Sequence, residues 1–293
     1  MIYDLRLTKM IQFTGFVLLL SAGFYPSVTS AQGSLTPPGA PGATMLALSQ
    51  IEPRTPVDAV HTPGDSVDKF IISQPGSYYL TTNVIGVSSE EGINISANNV
   101  TLDLNGFSVI GPSTAYSGIL ISSGTSNAIV KNGIISGWGT FYDGVQSAGS
   151  NVRLENLNVS GGSDGIYCGG DGSVIKNCTV NHAGQWGIYL TGSNSLVSCN
   201  YLFANNTGNS GNGAAIYINA ANNCVEDNFV TGSSPSGYGI LANGIAGITN
   251  NLVIRNKVQG GGANNYSVPL TGNDIGPIGS ASTNSNPWGN ISN

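Results

Sequence analysis

Charge is what this chain has least of. Asp, Glu, Lys and Arg make up 8% of its 293 residues, against roughly 25% in an ordinary soluble domain. With 9 basic against 15 acidic residues, it has no basic stripe to follow a phosphate backbone, which argues against nucleic acid as a partner. Histidine occurs twice. Cysteine occurs four times, at 168, 178, 199 and 224, in spacings that match no zinc or redox motif. An oxidising compartment would permit a bridge, with Cys178 and Cys199, which flank the same turn of successive repeats, as the first pair to test. Otherwise all four are buried thiols acting as small apolar side chains. Long apolar runs are also missing. The stretch from Ile11 to Phe24 is broken by Thr14, Gly15, Ser21 and Gly23 and falls short of the ~20 residues of a membrane span.

That stretch follows Arg6 and Lys9 and ends in small residues at Thr29-Ser30-Ala31, the order of a secretory signal peptide cut after Ala31. The expectation is a secreted chain, extracellular, periplasmic or at the cell surface, with no membrane span once the signal is removed. Losing Asp4, Arg6 and Lys9 leaves 7 basic and 14 acidic residues. Residues 32–66 read as a leader rich in proline and glycine, with one or two helical turns over 44–51 behind Thr44 as N-cap. Phe70-Ile71-Ile72 and Ser77-Tyr78-Tyr79-Leu80, divided by Gln74-Pro75-Gly76, read as a strand pair that caps the remainder of the chain.

What the chain has in quantity is glycine, 42 residues, together with asparagine and serine. Such a composition alone suggests disorder, but Ile, Val and Leu recur in register, which disordered tracts do not show. A short motif opens at Gly92-Ile93 and returns at Gly118-Ile119, Gly144-Val145, Gly165-Ile166, Gly187-Ile188, Ala215-Ile216, Gly239-Ile240 and, most weakly, Ser267-Val268, at spacings of 21 to 28 residues. A repeat of this length is a solenoid, in which each unit buries its apolar face only against its neighbours. Ile93, Ile119, Val145, Ile166, Ile188, Ile216, Ile240 and Val268 form one inward column. Ile95, Ile121, Ser147, Cys168, Leu190, Ile218, Ala242 and Leu270 form a second. Between them runs an outward column: Asn94, Leu120, Gln146, Tyr167, Tyr189, Tyr217, Leu241 and Pro269.

A second strand ends in each coil at an asparagine: Asn132, Asn156, Asn177, Asn200, Asn228 and Asn256, with Asn105 one residue out of register. Stacked in a tight turn, their amides can bond to one another and to the bend backbone, an asparagine ladder. The residues before them, Lys131, Glu155, Lys176, Cys199, Asp227 and Arg255, read as a solvated column of modest ion pairs.

Three short strands per coil, unequal coil lengths and an asparagine-marked turn resemble the right-handed parallel β-helix family, the broad group of pectate lyases, polygalacturonases, NosD-like proteins and phage tailspikes. The resemblance implies an all-β solenoid of seven to eight coils over residues 67–272, N-terminal cap included, with 273–293 as a C-terminal tail or cap. The family's catalytic motifs do not carry over. Of the polygalacturonase signatures only Arg255-Asn256-Lys257 matches one, and its asparagine belongs to the ladder. A lyase's acidic and basic halves would sit on different faces here.

Candidate chemistry lies at the start of the first strand. Asp143 and Asp164 occupy the position before the opening glycine in adjacent coils, about 5 Å apart. That separation suits a retaining glycosidase, but carboxylates stacked on one face point the same way instead of flanking a bond. A shared proton or a shared Ca²⁺ suits them better, or both only begin a strand as Asp-Gly turns do. No cofactor is otherwise implied. His182, in the turn before Trp186, is a further acid–base candidate, or a solvated turn residue. Tyr116, Trp138, Phe141, Tyr142, Trp186 and Tyr238 lie in turns leading into the first strand, beside the column Tyr167, Tyr189, Tyr217. Aromatic faces in a row beside amides are what a sugar chain needs. The residues expected to hold glycan are Tyr142, Tyr167, Trp186, Tyr189, Tyr217 and Tyr238. The functional expectation is a protein binding extended carbohydrate on the outer face of its first strands. The alternatives are a polysaccharide lyase or glycosidase using the stacked carboxylates, and a structural or adhesive surface protein.

Overall fold

The computed structural model describes residues 53–139, 141–244, 247–260 and 264–293. The expected signal peptide and the helical turns at 44–51 lie outside the described residues. Contacts divide the chain after Ile51, and the unit beginning at Glu52 carries the repeats.

Alternation of period two, repeated at three strands per coil, gives that unit its form. Nine first strands stack in parallel: Asp68–Ile72, Glu91–Ile95, Ile119–Ile121, Val145–Ser147, Asp164–Cys168, Trp186–Leu190, Ala214–Ile218, Tyr238–Ala242 and Asn264–Ser267. The second and third strands run side by side in an eighteen-stranded sheet that holds the rest of the cylinder. Two of its members, Ile129–Ser136 and Arg153–Ser160, serve as second and third strand in one piece.

The inward columns are sealed. Ile93, Ile119, Val145, Ile166, Ile188, Ile216 and Ile240 are all 0% exposed, each register partner of the next. The second strands contribute Leu102, Val130, Leu154, Ile175, Val197, Val225 and Val253, and the third strands Val109, Ile135, Val159, Val180, Leu202, Val230 and Val258, all buried. Burying one such side chain stabilises by about 1.5–3 kcal/mol, and every one depends on the coil above and below. The opening glycine has a packing reason. A Cβ on Gly165 would overlap Val180 Cγ1, and one on Gly239 would overlap Val258 Cγ1. Glycine and the following isoleucine therefore both face the core, alternation is broken between them, and the residue before the glycine is turned outward.

The structure departs from expectation at both ends. Phe70 does not belong to a hairpin cap: its strand pairs in parallel with Glu91–Ile95, and Gly76–Tyr79 pairs in parallel with Val100–Asp103. These strands form the first coil, which brings the count to nine. At the other end Ile240 is paired with Tyr266, two residues before Val268. The Tyr266 hydroxyl donates to the carbonyls of Asn256 and Ile291, while Leu270 is 74% exposed. Part of 273–293 joins the stack: Asp274–Ile275 pairs with Leu252–Ile254, and Asn290–Ser292 lies on Lys257–Gln259.

The asparagine turn resolves into two columns. Asn132, Asn156 and Asn177 stand with Cys199, Asp227 and Arg255 at a corner where φ is +55° to +62°, a conformation asparagine tolerates better than most residues. One position on, Cys178 aligns with Asn200, Asn228, Asn256 and Asn290, all buried. There each Oδ1 takes a backbone N–H from the coil before: Cys178 to Asn200 at 2.9 Å, then Asn200 to Asn228, Asn228 to Asn256 and Asn256 to Asn290, each at 3.0 Å. Each Nδ2 donates to a carbonyl of an earlier coil, from Asn200 to Ile175 O and from Asn228 to Val197 O. The corner column also divides the charges differently from the sequence reading: Arg255 bonds Asp227 and Glu226, and Lys131 pairs with Asp103. Cys178 points in and Cys199 out, so the pair first considered for a bridge is free, as are Cys168 and Cys224. A parallel file at the other corner, Ser173, Ser195, Asn223, Asn251 and Asn273, accepts N–H groups in the same way.

Asn228→Ala would orphan the Asn200 N–H and take one partner each from the Asn200 and Asn256 side-chain amides and from the Val197 carbonyl. Loss of about 2–4 kcal/mol is expected in chemical denaturation. Asn158→Ala, on an exposed side chain, should change stability by less than about 0.5 kcal/mol.

Candidate functional site

The outward turn forced by each opening glycine fixes what stands at the start of the first strands. Down this position run Asp68, Glu91, Ser117, Asp143, Asp164, Trp186, Ala214 and Tyr238. Two of the carboxylates do one thing in common: each reaches toward the next coil and accepts an N–H at the start of its strand. Glu91 Oε2 accepts from Ser117 N at 2.5 Å, and Asp143 Oδ1 from Asp164 N at 3.1 Å. Asp68 differs, its Oδ2 accepting from Asn94 Nδ2. Where the glycine interrupts the ladder, a carboxyl thus replaces the missing acceptor.

Asp143 and Asp164 therefore share a face and occupy adjacent rungs. Asp164 is 5% exposed, and its Oδ1 has no partner among the described residues. Burial pushes Asp164 up to about 8, reinforced by the charge of Asp143. Burial likewise raises Asp143 to about 6 and Glu91 to about 7, the latter with help from the charges of Asp68 and Asp143. At neutral pH Asp164 is thus mainly a neutral carboxylic acid. Among the described residues no group of three or more acidic, His or Cys side chains is arranged to hold a metal ion. His182 stands elsewhere, exposed at the end of the third strand, with Nδ1 2.7 Å from Asn181 Oδ1 and its ring edge-on to Phe203.

Two aromatic groups flank the carboxylate rungs along the axis. Toward the N-terminal side Tyr116 and Tyr142 lie 4.7 Å apart. They border a groove of 650 Å³ with Phe141, Ser89, Ser113 and Thr114, a volume within the range of sugar-sized sites. Phe141 is 87% and Tyr142 41% exposed. On the other side Trp186, Tyr189 and Tyr217 pack as a slab: Trp186 is 4.3 Å from Tyr189 and 5.1 Å from Tyr217, and the two tyrosines stack at 15°. Tyr167 meets Tyr189 edge-on at 5.4 Å. The rings spend much of their faces on one another and turn edges and hydroxyls outward, where Asn219 Nδ2 donates to Tyr189 Oη and Thr191 Oγ1 to Tyr167 Oη. Asn243 continues the chain to Asn219 Oδ1. Tyr238 is half-buried two rungs beyond Trp186. Trp138 is core: it is 3% exposed, with its Nε1 donating to Val109 O, and it lies against Gly92, Gly111 and Gly118. A shallower recess of 410 Å³, lined by Ser163, Gln185, Thr207 and Ser210 among others, lies over the turns before Asp164 and Trp186.

Sequence reasoning passed over a second aromatic stack, on the third strands, where Tyr201 lies 5.3 Å from Phe229 at 14° and 5.1 Å from Phe203. Its signal was available in the register, since Thr179, Tyr201, Phe229 and Lys257 occupy one column.

The buried carboxyls tie stability to pH. With folded values above the unfolded 3.8 of aspartate and 4.5 of glutamate, the native chain binds more protons than the unfolded one between about pH 4 and 8. The stability they contribute is complete below about pH 4 and is lost as pH rises through 6, 7 and 8. Asp164→Asn keeps the shape of the side chain and removes the titration. The fall in its denaturation midpoint from pH 6 to 9 should be smaller than in the parent chain, and an unchanged slope would remove Asp164 from this account.

Residues 143–276 match the family model described as right-handed beta helix region. A cell surface glycoprotein of Methanothermus fervidus is 27% identical over 169 residues, 49% of this chain and 27% of that protein; the match spans about a quarter of that relative's length. Among solved structures, the tailspike protein of Dettilon aligns with 66% of this chain and 42% of its own at 14% identity and a TM-score of 0.50. An alginate lyase from Paenibacillus sp. strain FPU-7 aligns with 72% of this chain and 86% of its own at 13% identity and a TM-score of 0.49. At 14% identity the likeness to the tailspike speaks to the fold alone. Nine stacked parallel coils give this chain the fold of a right-handed parallel β-helix, and the family model of that description covers a little under half of its residues.

Proposed function

We propose that this protein works outside the cell or at its surface and binds extended carbohydrate along the outer face of its first strands. The observation that carries this reading is the placement of exposed aromatic surface beside hydroxyls. Phe141 and Tyr142, both exposed, border a groove with Tyr116, Ser89, Ser113 and Thr114, and the half-buried slab of Trp186, Tyr189 and Tyr217, edges and hydroxyls outward, continues the face two to three rungs further on. From the rung of Tyr116 to that of Tyr238 the face covers five rung spacings, about 24 Å. Apolar ring surface with hydroxyl and amide groups around it matches the alternation of C–H faces and hydroxyls on a sugar chain. A surface role is in keeping with the relative named a cell surface glycoprotein.

Binding is favoured over cleavage by the burial of the carboxyls. A general acid must come within hydrogen-bond reach of the glycosidic oxygen, whereas Asp164 is 5% exposed. Its raised pKa is the consequence of burial and of the charge of Asp143, and the same burial sets it back from a substrate on the surface.

Affinity electrophoresis through gels containing soluble polysaccharides tests the reading. Tyr142→Ala and Trp186→Ala should each weaken retardation about three- to tenfold, the worth of one aromatic contact. Asp164→Asn should leave it unchanged. Retardation that is the same in both aromatic variants as in the parent chain would discard this face as the binding surface.

A further inference from the structure

The first-strand face differs from the rest of the cylinder in its charge. Between residues 86 and 260 the chain has six basic side chains: Lys131, Arg153, Lys176, His182, Arg255 and Lys257. All six lie on the second or third strands or at their ends. The first strands of the second to eighth coils and the turns on either side of them, 86–99, 112–127, 138–151, 162–173, 183–195, 206–223 and 233–244, contain no Lys, Arg or His. They do contain Glu90, Glu91, Asp143, Asp164 and Asp171.

The second strands carry both signs in contact, as in Arg255 with Glu226 and Asp227, Lys131 with Asp103 and Arg153 with Glu155. The two faces thus handle charge by different means. One pairs it, and the other, from the second to the eighth coil, admits only acids and buries Glu91 and Asp164.

We propose that the glycan held on the first-strand face is uncharged, and that the face discriminates against sugars bearing carboxylate, sulfate or phosphate. The inference rests on the binding reading above and adds the class of ligand. A uronate lying along this face would give up part of its hydration and find no cation to replace it, an uncompensated loss. Charges of the opposite faces do not help, because the Debye length at physiological salt is ~8 Å, shorter than the width of the cylinder. Hydroxyl and amide groups are what the face offers instead: Ser89, Ser113 and Thr114 at the groove, Asn219 and Thr191 beside the tyrosine slab. These recognise sugar hydroxyls without requiring a charge. Discrimination here is built by leaving something out, a repulsive and unpartnered environment for the wrong ligand in place of an added contact.

The test is affinity electrophoresis at pH 7 in gels cast with mannan, xyloglucan, mixed-linkage β-glucan or polygalacturonate. The full chain should be retarded by at least one of the uncharged polymers, and held about tenfold or more weakly by polygalacturonate. Leu120→Lys places a cation in the outward column between Asn94 and Gln146. It should strengthen retardation by polygalacturonate about two- to fivefold, the worth of one exposed charge contact, and leave the uncharged polymers unaffected. If polygalacturonate retards the parent chain most and Tyr142→Ala abolishes this, the assignment of ligand class falls while the binding face stands. A Leu120→Lys chain that gains nothing would show that missing cations are not the cause, and would also overturn the assignment. Absence of retardation by every polymer, charged or not, removes the binding reading and this inference with it.

Discussion

Each coil of this protein is only as stable as its fit to the next. A single turn of three short strands cannot enclose its own apolar side chains, so every inward residue must meet a counterpart of similar size one rung away. The columns reflect this: seven consecutive rungs place Ile or Val at one position with 0% exposure. Coil length is free to vary between strands because the constraint acts on the columns and not on the turns. The same dependence explains the scarcity of charge, since a charged residue repeated in register would face its own sign every ~4.8 Å. Where charges do occur on the second strands they oppose one another, as Arg255 opposes Glu226 and Asp227.

Corners are where a stack of this kind has unpaired backbone to satisfy, and two solutions are used side by side. One places asparagine or glycine where φ is positive. The other buries a side-chain oxygen that accepts the N–H of the preceding coil, as along Asn200, Asn228, Asn256 and Asn290. The carboxyls at the start of the first strands belong to the same set of solutions. Glu91 and Asp143 each receive the next coil's N–H, and the raised pKa values of these two and of Asp164 result from being enclosed. A perturbed carboxyl is often a sign of catalysis; burial is the leading cause of the shifts here.

With the interior and the corners committed to stacking, the outward columns are free to differ. They are not equivalent. The second-strand face is a set of compensated ion pairs, the third strands carry Tyr201, Phe203 and Phe229, and the first-strand face combines aromatic rings with hydroxyls and lacks any base from 86 to 244. Chemistry that differs from face to face on a backbone that does not is what lets one solenoid architecture serve unrelated ligands.

The amino-acid sequence by itself determined the repeat, the three strands per coil and the inward columns, because period-two alternation and a recurring Gly-Ile pair are local patterns that survive any uncertainty in the turns. It also determined which residues stand on the first-strand face, including the absence of bases there. Only the tertiary structure decided register at the weak ends, where Phe70 proved to open a coil and Tyr266 replaced Val268. It also separated Asn177 from Asn200, which a linear reading merges, since one is a positive-φ corner and the other a buried acceptor one position on. The environment of the candidate site was likewise a tertiary matter. Whether Asp164 is open to a ligand, whether Trp138 is core and whether Tyr189 shows its face or its edge depend on side chains from neighbouring coils 21 to 28 residues away. Those side chains come together only once the stack has formed.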